Sequence, residues 1–296
     1  MLKINFYVCV AKFSNITLKC IQSIINQKSI HKIKIYIIDN SKRNDFNKFH
    51  IKKLIRTNNT SIKFLVEKRK GIPFARNKSL EIIRSTVSDF SCLIDDDCEL
   101  SKNWLKNMLR CHSITKSDII TGPQVTKFDN IYEKVLERHC KHLSKIKWAA
   151  TNNVFMRSKL LNKSNIKFDV DLKNLGGSDQ VFFSKLNKMG YSIIWNEYSK
   201  VFENRNQKKT NFIWFLKRNI RYGSSSRILY SKIHGSTKAN IFIFFKFLYE
   251  ILKFLFYFIL VPLSLKKNLL YSLQYIIRAL ATLGSFFNIK LNEYKT

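Results

Sequence analysis

The chain has 296 residues, with 53 Lys+Arg against 20 Asp+Glu and a formal net charge of +33. That length holds one large α/β domain with an appendage, or two small domains, and 45% hydrophobic residues exclude disorder as the default. The charge calls for a polyanionic neighbour, whether nucleic acid, an anionic membrane or a phosphorylated substrate, but the lysines are spread along the chain and do not choose among them.

Lys3–Val10 reads as a buried strand, and no charged leader followed by an apolar stretch precedes it, so no signal peptide is read. Ser14 or Asn15 caps a helix running to about Gln27. Lys34–Ile38 is a second apolar strand, ending in Asp39-Asn40-Ser41; a polar helix is expected next, then a strand over Ile62–Val66. Gly71-Ile72-Pro73 opens a helix from Phe74 to about Ser85. A fourth strand, Phe90-Ser91-Cys92-Leu93-Ile94, then runs into Asp95-Asp96-Asp97. This strand–helix alternation predicts an α/β fold with a mostly parallel sheet, which binds ligands beyond the carboxyl ends of its strands. Asp39 and Asp95–Asp97 lie at those ends, and the chain so brings them to one rim.

Three adjacent carboxylates cannot all be buried unpaired. In a chain this poor in acids they point to a hard divalent cation, Mg²⁺ or Mn²⁺, bridging to substrate phosphates; a solvated turn or a helix cap near Ser101 is the alternative. No Walker A loop or GxGxxG turn is present, so a bound phosphate must be held by metal and basic side chains. The six cysteines form no CxxC pair and read as reduced thiols of a cytoplasmic protein.

In the second half, Thr151–Met156 looks like a strand carrying two amides, and Gly176-Gly177-Ser178-Asp179 opens a helix over Gln180–Met189. Lys217-Arg218 and Arg221 lie one turn apart on a helix from about Asn211, a cationic face for phosphates or a solvated surface. From Asn240 onward, Ile241–Leu265 and Leu269–Ile289 read as two amphipathic helices. Polar stripes run along them at Lys246, Glu250 and Lys253, and at Gln274, Arg278, Thr282 and Ser285. Three placements are open for this pair: lying in a membrane interface, crossing the membrane as a hairpin, or packing on the rest of the chain.

Together these residues resemble the family 2 glycosyltransferases of GT-A fold, in particular the succinoglycan-assembly glucosyltransferase branch. The pieces run in the family's order over roughly residues 3–225: Val8-Cys9, Ser23–Gln27, Ile38-Asp39-Asn40, Gly71–Asn77, Asp95-Asp96-Asp97 with Trp104-Leu105, Thr121-Gly122-Pro123, Thr151–Val154, Gly176–Asp179, and Arg218 with Arg221–Gly223. The resemblance implies a GT-A domain over 1–232, Rossmann-like with flanking helices, and a C-terminal helical membrane-associated segment over 233–296. It implies inverting transfer of a sugar from a nucleotide-sugar donor to a glycan acceptor, oligosaccharide or lipid-linked, in cell-surface polysaccharide synthesis.

On that resemblance Asp39 takes the nucleobase, and Asp95 and Asp96 the ribose and first sugar. Asp97, with Asp95, binds Mn²⁺ or Mg²⁺ on the diphosphate. Arg76 supports the nucleotide-facing aspartates, Asn153 touches donor sugar or acceptor, Arg218 and Arg221 face the diphosphate, and Asp179 is the catalytic base. The chain departs from the pattern at Ser178, where the family has Glu, at Asn152, where it has Gly, and at Lys209, where Arg is common. The expected location is the cytoplasmic face of the cell (inner) membrane, with an anionic membrane surface as partner. A degenerate non-catalytic homologue is one rival; a nucleic-acid binder is the other, but no basic module is evident and no nucleic-acid partner is expected.

Overall fold

A computed structural model describes residues 1–41, 59–127, 130–162, 164–204 and 210–287. The polar helix expected after Ser41 and the position of Lys209 lie outside the described residues. In chain order the first elements are β1 (Lys3–Val10), α1 (Asn15–Ile25), β2 (Lys32–Asp39), β3 (Thr60–Val66), α2 (Ile72–Ser85), β4 (Phe90–Asp95), β5 (Cys98–Leu100), α3 (Trp104–Thr115), β6 (Ile119–Thr121) and β7 (Gln124–Thr126). Then come α4 (Ile131–Lys134), β8 (Val154–Arg157), α5 (Lys159–Asn162), α6 (Ser178–Lys188), β9 (Ile193–Trp195) and β10 (Val201–Glu203). Four helices end the described chain: α7 (Phe212–Ser224), α8 (Ser226–His234), α9 (Ser236–Ile259) and α10 (Leu265–Gly284).

The first compact unit comprises residues 1–127, 138–170 and 178–204. Its main sheet has seven strands in the order β3-β2-β1-β4-β8-β6-β9, parallel except where β8 runs against β4 and β6. Parallel strands covered on both faces read as continuous apolar runs, which is why β1 and β2 were legible. Side chains alternate between two cores. Phe6 and Val8 meet Ile21 and Ile24 of α1 and Trp104 and Met108 of α3 on one face. Tyr7, Ile38 and Leu93 meet Leu80 and Ile83 of α2 and Phe182 and Leu186 of α6 on the other. A smaller sheet, β5-β10-β7, begins where β4 ends.

One element differs from the expectation over Thr151–Met156. Residues Thr151–Asn153 form a turn of 3₁₀ helix, and the strand starts at Val154. The antiparallel pairing of β8 with β4 reaches Leu93↔Val154 and stops. Beyond it the two asparagines bond through their side chains and not through a ladder.

The second unit comprises residues 128–137, 171–177 and 205–296. In it α7 and α8 group with the C-terminal helices. The reason is close packing of α10 on α7. A methyl group on Gly223 would stand 2.5 Å from Ala281 Cβ and 2.6 Å from the Arg278 carbonyl oxygen, so only glycine lets the two backbones approach this far. Asn130 caps α4, accepting from the Tyr132 and Glu133 amides, and donates to the Thr210 carbonyl at 2.8 Å.

The C-terminal helices have inverted polarity. Glu250, Gln274 and Thr282 are buried, whereas Phe245, Leu252, Phe258, Ile259 and Leu263 are exposed, Leu263 by 80%. Lys246 Nζ donates to Glu250 Oε1 at 2.5 Å and to Thr282 Oγ1 at 2.8 Å, and Thr282 donates to Glu250 Oε2 at 2.8 Å. The stripe expected on one face is split, since Lys253 instead lies over the rings of Phe256, Tyr249 and Tyr257. Among the described residues, no helix is long and apolar enough to cross a membrane.

Candidate active site

The sheet register assembles the rim. Cys9 pairs with Ile38 on one side and Asp95 on the other, and Val10 pairs with Asp39, so Asp39 and Asp95 flank the carboxyl end of β1. Asp39 is 6% exposed and accepts the Ser41 amide at 2.8 Å. Its neighbour Asn40 fastens the approach to α2: Nδ2 donates to the Glu67 and Arg69 carbonyls, each at 2.7 Å, and Oδ1 accepts from the Gly71 amide at 3.1 Å.

Asp95 ends β4, and Asp96 and Asp97 form the turn into β5. Asp95 keeps 37% of its side chain open. Arg76 Nη2 and Thr151 Oγ1 each donate to its Oδ1 at 3.4 Å. The dense rim leaves all three carboxylates only partly open to water. Asp95 titrates above the usual carboxylate range, because burial together with the charges of Asp179 and Glu203 outweighs Arg76. Burial, then the charge of Asp95, pushes Asp96 up to about 7. Burial, then Glu203, Asp95 and Asp96, pushes Asp97 up to about 7.

These are hard oxygen donors at a site crowded with negative charge, a set that fits Mg²⁺ or Mn²⁺. Among the described residues, no group of three His, Cys, Asp or Glu is arranged to hold a metal. A cation here would use one or two of the carboxylates and complete its shell with ligand oxygens, as small hard cations commonly do.

Arg76, on α2, spans two elements. It reaches Asp95 at the strand end, and its Nη1 donates to Ser178 Oγ at 3.4 Å at the start of α6. Ser178 is where the chain departs from the family's glutamate, and its hydroxyl is what Arg76 finds there. Asp179 follows in the first turn of α6, after Gly176 and Gly177 with φ of 75° and 78°, a conformation other residues adopt only under strain. Its Oδ1 accepts the Gln180 amide at 2.8 Å. Arg138 lies within its electrostatic reach, lowered by burial and held up in part by Asp179; it stacks 4.1 Å from the centroid of the Trp148 ring.

Asn153 is placed differently from its expected role. It is fully buried; its Oδ1 accepts from Trp104 Nε1 at 2.8 Å, and its Nδ2 donates to the Ser199 and Pro123 carbonyls at 2.8 and 3.2 Å. Both ends of the Asn153 amide are thus engaged inside the protein. The next amide does reach the acidic cluster: Asn152 donates to Gln124, which donates to Glu203.

Glu203 escaped the sequence reading. It ends β10, pairs in register with Cys98 beside the triplet, and is 7% exposed. The scarcity of acids was the one signal that could have singled it out. Arg218 and Arg221, expected to face the diphosphate, lie on α7 in the second unit.

The sequence pattern described as Glycosyl transferase family 2 matches residues 8–182, more than half of the chain. The chain belongs to that family. The match spans the end of β1, the triplet and the start of α6, and so every first-unit residue expected at the site. The succinoglycan biosynthesis protein ExoM of Rhizobium meliloti (strain 1021) is 26% identical over 177 residues, covering 57% of this chain and 56% of that protein. The chain thus aligns with little more than half the length of this curated relative.

The GT-A fold is also seen in solved structures. The mannosyltransferase PcManGT from Pyrobaculum calidifontis, in complex with GDP-Man and Mn²⁺, superposes with a TM-score of 0.62 at 13% identity over 97% of this chain and 88% of that one. S. aureus TarS 1–349, in complex with UDP-GlcNAc, gives 0.53 at 13% identity over 75% and 66%. GalNAc-T7 with UDP, GalNAc and Mn²⁺ gives 0.54 at 12% identity over 76% and 51%.

Proposed function

We propose that this family 2 glycosyltransferase moves a hexosyl group from a nucleotide sugar to a glycan acceptor, with inversion, in polysaccharide synthesis. The observation that carries the reading is the rim itself: Asp39 and Asp95 on either side of the β1 end, with Arg76 tying Asp95 to the helix that bears Asp179. Asp39 would take the nucleobase, and Asp95 and Asp96 the ribose and first sugar. Asp97, with Asp95, would hold Mn²⁺ or Mg²⁺, which when bound neutralises charge on the departing diphosphate. Asp179 would accept the proton of the attacking hydroxyl, and Arg76 would keep strand end and helix start in register. We place Asn153 as a brace, not as a sugar contact. The complexes with GDP-Man, UDP-GlcNAc and Mn²⁺ support this reading by analogy of fold. A screen of nucleotide sugars tests it: one donor should be hydrolysed or transferred in Mn²⁺ and spared in EDTA, and full activity in EDTA would remove the cation from the mechanism.

We place the enzyme on the cytoplasmic face of the membrane, acting on a lipid-linked acceptor. The inverted polarity of α9 and α10 supports this, since aromatic and aliphatic side chains left in water are a liability that a bilayer removes. The occupant of that face is an anionic lipid surface, matched by the net charge of +33 and by exposed Lys266 and Lys267. Holding enzyme and acceptor on one surface raises their effective concentration. Phe245→Glu with Ile259→Glu, both at exposed positions, should leave folding intact and abolish co-flotation with phosphatidylglycerol vesicles. Unchanged flotation of the double variant moves the attachment elsewhere.

A further inference from the structure

Beyond the end of α2 at Ser85, the amino ends of β1, β2 and β3 border a cavity of about 490 Å³, within the range of small-molecule sites. Strand register gathers cations there. Lys3 of β1 pairs with Lys32 of β2, and Lys34, two residues on, pairs with Asn5 of β1 and Ser61 of β3. Side chains alternate along a strand, so Lys3 and Asn5 share a face with Lys32, Lys34 and Tyr36. Among the described residues, no Asp or Glu lines the cavity, and none of the three ammonium groups has a carboxylate partner. Asp89 meets Lys3 at the backbone amide, at 2.7 Å.

The floor of the cavity is buried and polar. Tyr36 is 2% exposed and stacks on Tyr7, with ring centroids 5.1 Å apart and planes 4° from parallel. Asn5, also buried, donates through Nδ2 to the Tyr7 hydroxyl at 3.3 Å. Tyr36 lines the cavity, and its own hydroxyl has no hydrogen-bond partner among the described residues. That hydroxyl is not sealed in the core, so its partner has to come from the cavity. Lys34 is half-buried, with Nζ 5.2 Å from the centroid of the Tyr36 ring.

We propose that this cavity binds a phosphate monoester carried on a sugar ring, with Lys3, Lys32 and Lys34 about the phosphoryl group and Asn5, Tyr36 and Ser61 for the ring hydroxyls. A phosphate monoester carries about −1.5 to −2 at pH 7, which engages several lysines where a carboxylate would engage one. Ammonium groups act as separate point charges, suited to the three oxygens of a terminal phosphoryl group. A phosphoryl group alone would leave most of the cavity to water. The rim is elsewhere: β1 has 8 residues, and at about 3.3 Å per residue they put Lys3 about 23 Å from Val10. The site stands whether or not the rim is that of a transferase.

Calorimetry on full-length protein in detergent and EDTA tests the site, with glucose 6-phosphate as probe and glucose as its uncharged control. Wild type should bind the ester and not glucose, and Asp97→Asn should bind it equally, since neither metal nor triplet takes part. Lys32→Gln, at an exposed position, should bind about 10-fold more weakly or worse, the scale of a lost charge-assisted contact. Lys32→Arg should recover part of the loss. Lys34→Gln should lose as much as Lys32→Gln, and Tyr36→Phe about 3-fold, the scale of a neutral hydrogen bond. Lys102→Gln with Lys106→Gln removes two exposed charges around the start of α3 and should change nothing. A loss there equal to that of Lys32→Gln would mean that the net charge of +33 gathers the ester without a site, which overturns the proposal. No binding by wild type, equal binding of glucose, a loss in Asp97→Asn, or unchanged affinity in Lys32→Gln overturns it as well. A Lys34 that only packs on Tyr36 would lower the melting temperature of Lys34→Gln without changing its affinity, which is equally fatal. Should Lys34→Gln fail to fold, Lys3→Gln takes its place beside Lys32→Gln, and unchanged affinity there overturns the site. Uridine 5′-monophosphate as a second ligand identifies the carrier. Loss in Lys32→Gln confined to one ligand assigns the free sugar phosphate or the nucleotide, loss in both assigns the shared group, and loss in neither overturns the site.

Discussion

Asp179→Asn should leave nucleotide-sugar binding in place while turnover falls by ~10²–10⁴-fold, the size of a general-base contribution. The substitution changes little else. Asparagine keeps an oxygen to accept the Gln180 amide, now accepted by the carboxylate at 2.8 Å, so the first turn of α6 should survive. What it loses is the capacity to take a proton. The loss should appear in kcat, with KM for the donor unchanged, since Asp95 and Arg76 keep their contact. Arg138 offers a check on position, because it is buried and senses the Asp179 charge; removing that charge should lower the stability of the variant slightly without restoring turnover. Turnover within a few-fold of wild type would send the search for the base to other carboxylates of the rim, Glu203 first.

Much of the rim was legible in sequence because strand ends in a parallel sheet are fixed by register. Once β1, β2 and β4 are read as buried parallel runs, Asp39 and Asp95 fall at one rim; that they flank the end of β1 follows from the strand order β2-β1-β4. The rest failed for identifiable reasons. The strands β5, β6, β7, β9 and β10 have three residues each, too short for periodicity to announce them, so the second sheet and Glu203 with it were invisible. The resemblance gave Asn153 a place beside donor sugar or acceptor; no local pattern announces that Trp104, Ser199 and Pro123, from distant parts of the chain, engage both ends of its amide. The polar stripes of α9 and α10 were read as lying towards headgroups or pairing with each other. Lys246, Glu250 and Thr282 do pair, and Arg278 turns to Asn219 and Tyr222. The resemblance set the domain bounds, and neither it nor composition registers the close contact of α7 and α10 at Gly223.

Asp97→Asn should abolish cation-supported nucleotide binding and leave the fold unharmed or firmer. The sign follows from linkage. In the metal-free protein Asp97 and Asp96 titrate at about 7, against 3.8 for the ordinary side chain, so the folded state holds these protons more tightly than the unfolded one. The stability this confers is full below the unfolded value and is lost as pH rises through the folded one. The metal-free protein should therefore lose stability between about pH 4 and pH 7 through these two groups. Over the same window the carboxylates become free to hold a cation, since ligand carboxylates must be deprotonated.

Two pH-dependent results are expected. Mn²⁺ with nucleoside diphosphate should raise the melting temperature most above pH 7, and the apparent affinity should fall by about 10-fold per pH unit for each group that must lose its proton as pH drops below 7. Asp97→Asn removes one ionisation, so its metal-free melting temperature should decline less with pH and show no rise on adding Mn²⁺. Asp96→Asn should flatten the metal-free decline in the same way while keeping a response to Mn²⁺, which separates the charge each carboxylate adds from the ligand role assigned to Asp97. Undiminished Mn²⁺ stabilisation in Asp97→Asn at pH 8 would move the cation to Asp95 and Glu203. Stabilisation of wild type that is equal at pH 5.5 and pH 8 would mean that the cation, wherever it sits, does not compete with these protons.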